Sequence, residues 1–130
     1  MIAGIVSGGI NVVAGSAAGA CGSAHSCWDP NNRTITVEGA DAPGVMAVAF
    51  GHEYAHATQA QAKNTTEYGK NELRAWDESR KVYNRLKGPY RQQAVSAFGP
   101  AFQALSPGTQ SRRQQLQIWI QQALATYGPP

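Results

Sequence analysis

Phe50-Gly51-His52-Glu53-Tyr54-Ala55-His56-Ala57-Thr58 is the stretch around which the rest of the chain is read. It contains His52, Glu53 and His56 in the spacing H-E-x-x-H. On an α-helix, positions i and i+4 lie on one face, one turn apart. Two imidazoles at that spacing reach a common point without distorting the backbone. Neutral imidazole nitrogen is a good ligand for Zn²⁺, and a glutamate next to the first histidine stands where a general base belongs. Val45, Ala49, His52, Glu53 and His56 share a helix face. An apolar stripe that ends in two imidazoles and a carboxylate turns those polar groups inward. A buried carboxylate without a partner is costly, and a metal ion removes that cost.

Working outward, Asp41 and Pro43 mark the start of this helix, with Asp41 as N-cap and Pro43 in the first turn. The helix is expected over 42–62, and Asn64-Thr65-Thr66 breaks it. Upstream, residues 26–38 read as a hairpin. Asp29-Pro30-Asn31-Asn32 supplies the turn chemistry, and Thr34, Ile35, Thr36 and Val37 form a β-branched run. Downstream, a second long helix is expected over 67–87, stopping before Gly88-Pro89. Its inward stripe is Glu72, Ala75, Ser79, Val82 and Leu86. Two more helices are expected over 90–105 and 109–127, separated by Ser106-Pro107-Gly108. The fold class is therefore α+β and mostly helical: a short hairpin on a histidine-bearing helix, followed by a second helix that carries Glu72.

Residues 1–20 are uncharged and rich in Gly and Ala, and read as a flexible lead-in to a single domain over 21–130. Five glycines and three polar side chains (Ser7, Asn11, Ser16) make this stretch a poor membrane span, so a membrane role would rest on it alone. The 130 residues suffice for one modest core. Residues 1–78 hold all 8 acids and 4 of the 11 basic residues, whereas 79–130 hold 7 basic residues and no acid. That asymmetry suits either solvated helix faces or an acidic partner. The basic residues are not interleaved with aromatics in any nucleic-acid motif. Cys21 and Cys27 can close a disulfide in an oxidising compartment or stay free, and they are not a Cys-x-x-Cys pair.

A catalytic zinc site takes three protein ligands. Glu72 lies 16 positions after His56, on a helix that a short loop turns back across the first. It is the expected third ligand, with His25 and Cys27 as rivals. Asp77 is an expected outer partner for a ligating imidazole.

The pattern over residues 26–86 resembles the zincin metallopeptidases of the gluzincin type. His52-Glu53-Tyr54-Ala55-His56 matches the first motif, and Asn71-Glu72-Leu73-Arg74-Ala75 is similar to the second. The resemblance implies a zinc-dependent peptidase acting on a peptide or protein substrate, with Zn²⁺ on His52, His56 and Glu72, and Glu53 as general base. By the same analogy the strand before the helix is an edge, and Arg33 to Glu38 line the cleft, with Thr34, Ile35, Thr36 and Val37 binding substrate by β-augmentation. The family's downstream aspartate is displaced, with Trp76 at that position and the acid at Asp77. Oxyanion stabilisers would come from His25, Tyr68, Tyr83 or Tyr90. The chain is also similar in style to metallopeptidase domains of secreted bacterial toxins and effectors, which implies secretion or delivery. A different class of reading is a binding module, zinc-stapled or metal-free, that holds an acidic partner through residues 79–130.

Overall fold

The computed structural model describes residues 3–6 and 9–127. Among these, the chain runs β1 (Ala3–Val6), β2 (Ile10–Gly15), α1 (Ala17–Cys21), β3 (Ser26–Asp29), β4 (Thr34–Glu38), α2 (Pro43–Thr58), α3 (Thr65–Arg85), α4 (Gly88–Ala104) and α5 (Gln110–Tyr127). The expected mostly helical α+β fold is what forms. No described helix is long and apolar enough to cross a membrane.

The hairpin is built by its turn. The Asp29 carboxylate accepts from the backbone N–H of Asn31 and of Asn32, at 2.9 and 3.3 Å, and from the Asn32 side chain at 2.8 Å. Such Asx closure is why Asp and Asn recur in turns. β3 then pairs antiparallel with β4, Cys27 opposite Thr36 and Trp28 opposite Ile35.

The lead-in reading is corrected over residues 10–15, which form a strand. β2 pairs in parallel with β4, Val12 opposite Ile35, and β1 pairs antiparallel with β2. Met1, Ile2, Ser7 and Gly8 of that stretch lie outside the described residues. The physical reason is backbone satisfaction. Ile35 and Val37 are almost wholly buried, so β4 would otherwise carry unpaired N–H and C=O groups into the core. Ile10 joins Ile35 and Val37 in a common cluster.

The sheet order is β1-β2-β4-β3, so β4 is flanked on both sides. This corrects the assignment of Thr34, Ile35, Thr36 and Val37 as a substrate-binding edge. Their backbone is paired to β2 and β3 and has no free side for an added strand. The strand beside the histidine helix with an open edge is β3.

α2 is the centre of the molecule. One side packs Met46, Phe50, Tyr54 and Ala57 against the sheet cluster. The other packs Val45, Val48 and Ala49 against Ala94, Phe98 and Phe102 of α4, with Trp76 and Val82 of α3 alongside. A helix covered on several sides carries apolar residues nearly all round, which is why no single apolar stripe stands out in 43–58. Gly44 sits at the α2–α4 crossing, where a Cβ would run into the Tyr90 carbonyl, and its N–H donates to Gln93 Oε1 at 2.9 Å.

Asp41 does not cap α2, which corrects that expectation. Ala42 is the N-cap and makes no side-chain cap bond. Asp41 instead pairs with His25, Oδ2 to Nδ1 at 2.7 Å. α2 stops at Thr58, earlier than expected, and the extended loop over 59–64 leads to α3. Asn64 caps α3, its Oδ1 accepting from the Glu67 N–H at 2.9 Å. α5 packs on α3, with Leu116 and Ile120 against Gly69.

Candidate metal centre

His52 and His56 project from one face of α2, and their Nε2 atoms stand 3.2 Å apart. α3 crosses beside them and brings in Glu72. Its Oε2 lies 3.3 Å from His52 Nε2, and its Oε1 lies 3.0 Å from His56 Nε2. The three side chains are 15–18% exposed. Helix packing positions them. Ala75 and Ser79, one and two turns below Glu72, are fully buried and let α3 lie close against α2. Gln59 Nε2 donates to the Asn71 carbonyl at 3.3 Å, and Asn71 Nδ2 to the Ala60 carbonyl at 3.2 Å, tying the end of α2 to the turn that carries Glu72.

The electrostatics follow from burial opposed by pairing. Burial pushes the Glu72 carboxyl up, but hydrogen bonds and charge from His52 and His56 outweigh it and hold Glu72 at about 2. Burial pushes the His56 imidazole down, and the hydrogen bond and charge of Glu72, with the charge of Glu53 behind them, raise it above its ordinary value.

Glu53 is 7% exposed and lies beside the triad. Its Oε2 accepts from Ser26 Oγ at 3.0 Å, and the Ser26 hydroxyl lies 3.4 Å from the Ala49 carbonyl. Ser26 is itself held from both sides. His25 pairs with Asp41, and Cys27 is joined to Cys21 by a disulfide. This hydroxyl was not foreseen. It lies 27 residues before Glu53, and nothing in a lone serine on a strand announces such a contact.

His52, Glu53 and His56 form a group that can hold a metal ion, their donor atoms lying within 4.8 Å of one another. Two acids compete to complete the set. Glu72 is the better donor, because its oxygens touch both imidazole nitrogens while Glu53 is engaged by Ser26. The fit can be tested on the distances. A tetrahedral ion with bonds near 2.0–2.1 Å sets its donors about 3.3–3.4 Å apart. The observed edges are 3.0, 3.2 and 3.3 Å. Without an ion, the two imidazole N–H groups can each donate to one Glu72 oxygen; a cation at the point they share would take all three as ligands. One feature departs from the usual pattern. His52 Nδ1 is buried with no hydrogen-bond partner among the described residues. A ligating histidine normally donates that N–H outward. Here the ring is held by Trp76, edge-on with centroids 5.0 Å apart.

The site floors a cleft of about 1050 Å³. Ser26, Trp28, Arg33, the 59–64 loop and Tyr68 are among the residues that line it. Thr34, Ile35, Thr36 and Val37 do not line it. The rival ligands go elsewhere: Cys27 is in the disulfide, and His25 packs edge-on against Phe98 while bonding Asp41. Asp77, expected behind an imidazole, forms a two-pronged pair with Arg112 of α5, at 2.9 and 2.7 Å. Of the four expected oxyanion stabilisers, Tyr68 lines the cleft. Tyr83 packs on Phe102, and Tyr90 is exposed on α4. In the basic half, Arg80 and Arg91 donate to backbone carbonyls and Lys81 pairs with Glu78.

A scan of protein-family models, a search of curated proteins and a search of solved structures each return no match.

Proposed function

We propose that this chain is a zinc-dependent peptide hydrolase, with His52, His56 and Glu72 holding the ion and Glu53 as the general base. One observation carries the reading: two imidazole nitrogens and a carboxylate from neighbouring helices meet within 3.0–3.3 Å, with a second carboxylate beside them on the floor of an open cleft. Two nitrogens and one oxygen suit Zn²⁺ better than the all-oxygen preference of Mg²⁺ or Ca²⁺. When bound, such an ion supplies Lewis acidity that polarises a carbonyl and acidifies water near neutral pH.

The chain's own residues account for the remaining roles. Ser26 holds Glu53 through Oε2. Oε1 takes the proton of the attacking water and passes it to the departing amine, so the base is regenerated as the C–N bond breaks. Of the tyrosines considered for the oxyanion, Tyr68 is the one that lines the cleft. Peptide as substrate rests on the zincin resemblance of His52-Glu53-Tyr54-Ala55-His56 and the downstream glutamate. The disulfide suits an oxidising compartment, in keeping with a secreted or delivered enzyme.

The donor set also bridges α2 and α3, which favours a second reading in which the ion is only a staple. Zinc content and hydrolysis of an unstructured protein substrate, in wild type and Glu53→Gln, separate the two. The hydrolase reading expects zinc in both proteins and a roughly 10²–10⁴-fold lower rate in Glu53→Gln. Zinc in both with no turnover in either leaves the staple. Equal turnover in both removes Glu53 as base.

A further inference from the structure

A covalent bond ties the cleft to the residue that holds Glu53. The Cys21–Cys27 disulfide joins the last residue of α1 to β3, and both cysteines line the cleft. Ser26 stands next to Cys27, and its hydroxyl donates to Glu53 Oε2 at 3.0 Å. The other restraints on this part of the chain are weaker. β3 is an edge strand of four residues, with β4 as its sheet neighbour. Residues 22–25, which lead into it, lie in neither helix nor strand. α1 has five residues, too few for a helix to stand alone, and Gly22 ends it at φ 73°. On the other side of Ser26, His25 pairs with Asp41 at 2.7 Å, with side chains 40% and 21% exposed, and its carbonyl accepts from the Glu38 N–H at 2.8 Å. Pairs that face solvent in this way contribute little. Trp28, two residues beyond Ser26, packs on the sheet cluster and holds the far end of β3. A cross-link acts by removing the other positions open to the loop it closes, and this loop carries Ser26. The bond is also within reach of solution, because Cys21 is exposed, and exposed disulfides are the ones that thiols open.

We propose that the Cys21–Cys27 disulfide is a redox latch on the site: closed, it holds Ser26 against Glu53, and opened by a small thiol, it lets residues 22–27 slacken and Ser26 leave the carboxylate. The opening is a two-step exchange. A thiolate attacks the Cys21 sulfur, the S–S bond breaks, and Cys27 departs as a thiolate that takes up a proton. A second thiolate attacks the mixed disulfide, releases Cys21 as a thiolate that is protonated in turn, and leaves joined to the first. The protein gains two electrons and two protons, and both come from the two small thiols that end as one disulfide. The latch does not depend on what Glu53 does; that opening it slows hydrolysis rests on the hydrolase reading, in which Glu53 is the base. The carboxylate is then set where thiols are scarce and slack where they are abundant.

The test compares zinc-loaded protein as oxidised wild type, as wild type opened with excess glutathione, and as the double variant Cys21→Ser with Cys27→Ser. The double variant cannot close the bond and carries no thiol to compete for zinc. Hydrogen exchange over 22–27, read by mass spectrometry, should quicken about tenfold in both open forms, with 43–58 and 65–85 unchanged. The ¹³C resonance of the Glu53 carboxyl should move toward its position in Ser26→Ala. Unchanged exchange over 22–27, faster exchange throughout the protein, or a Glu53 resonance indifferent to opening would each overturn the latch. Turnover of an unstructured protein substrate is scored separately. In both open forms kcat should fall about tenfold with bound zinc unchanged, and wild type should recover on reoxidation. In a Ser26→Ala background, opening should lower kcat no further. An equal fall in that background would show that the bond acts through another residue and would overturn the latch. Local slackening with no hydrolysis in any form refutes the hydrolase reading alone, and hydrolysis that opening leaves unchanged refutes the latch alone.

Discussion

Two carboxylates of α3, five residues apart, meet opposite fates. Asp77 faces α5 and pairs both oxygens with the Arg112 guanidinium, which also donates to the Leu105 carbonyl at 2.6 Å. Every strong group there finds a partner within the chain. Glu72 faces α2 and meets two imidazole nitrogens that also face each other at 3.2 Å. At Asp77 one acid meets one base and the pairing is complete. At Glu72 three groups able to ligate a metal converge on one point. The difference between the two acids is convergence, since both are paired.

The comparison breaks most visibly when metal is added. Zinc at a thousandfold excess over its Kd should stabilise the wild type by about 4 kcal/mol, read as a rise in Tm. Glu72→Ala should lose most of that rise, whereas Asp77→Ala should keep it. Equal rises in both variants would put the ion elsewhere.

A smaller effect is expected at Ser26. Ser26→Ala frees the Glu53 carboxylate and should lower kcat about tenfold with KM and bound zinc unchanged, and Ser26→Thr should recover part of it. A kcat equal to wild type would reduce the contact to packing. Asp77→Asn should cost about 1 kcal/mol or less, since the pair is partly exposed, with kcat unaffected; chemical denaturation reads the first and an activity assay the second.

The gentlest test is pH, in metal-free protein. Glu72 is depressed from 4.5 to about 2, so its contribution is present above 4.5 and is lost as pH falls toward 2. His56 is raised above 6.5, so its contribution is present below 6.5 and is lost as pH rises through its folded value. Stability from this cluster should peak between about 4.5 and 6.5. Glu72→Gln should flatten that peak in a series of urea titrations, and a peak of unchanged height would show that other groups set it.

The parts legible in the sequence are those governed by local rules. Asp29-Pro30-Asn31-Asn32 closes its own turn, Gly88-Pro89 ends one helix and opens the next, and the i, i+4 spacing of His52 and His56 puts both imidazoles on one face whatever surrounds them. The inward stripe of Glu72, Ala75 and Ser79 placed α3 against α2 by periodicity alone. What escaped depends on partners distant in the chain. Residues 10–15 are uncharged and carry no turn or motif signal of their own, and only the otherwise unpaired side of β4 demands that they pair; missing that strand turned Thr34–Val37 from a central strand into an edge. Asp41 has the chemistry of an N-cap, yet His25 claims it from 16 residues away. Asp77 has the chemistry of an outer partner for a histidine, yet Arg112 claims it from 35 residues away.

The central claim is that His52, His56 and Glu72 gather one divalent cation. X-ray absorption at the zinc edge, on wild-type and Glu72→Ala protein loaded with one equivalent, tests it most directly. The wild type should show two imidazoles among nitrogen and oxygen ligands near 2.0–2.1 Å with no sulfur, and Glu72→Ala should lose an oxygen ligand or the ion itself. A wild-type spectrum without imidazole scattering, or one that Glu72→Ala leaves unaltered, would contradict it.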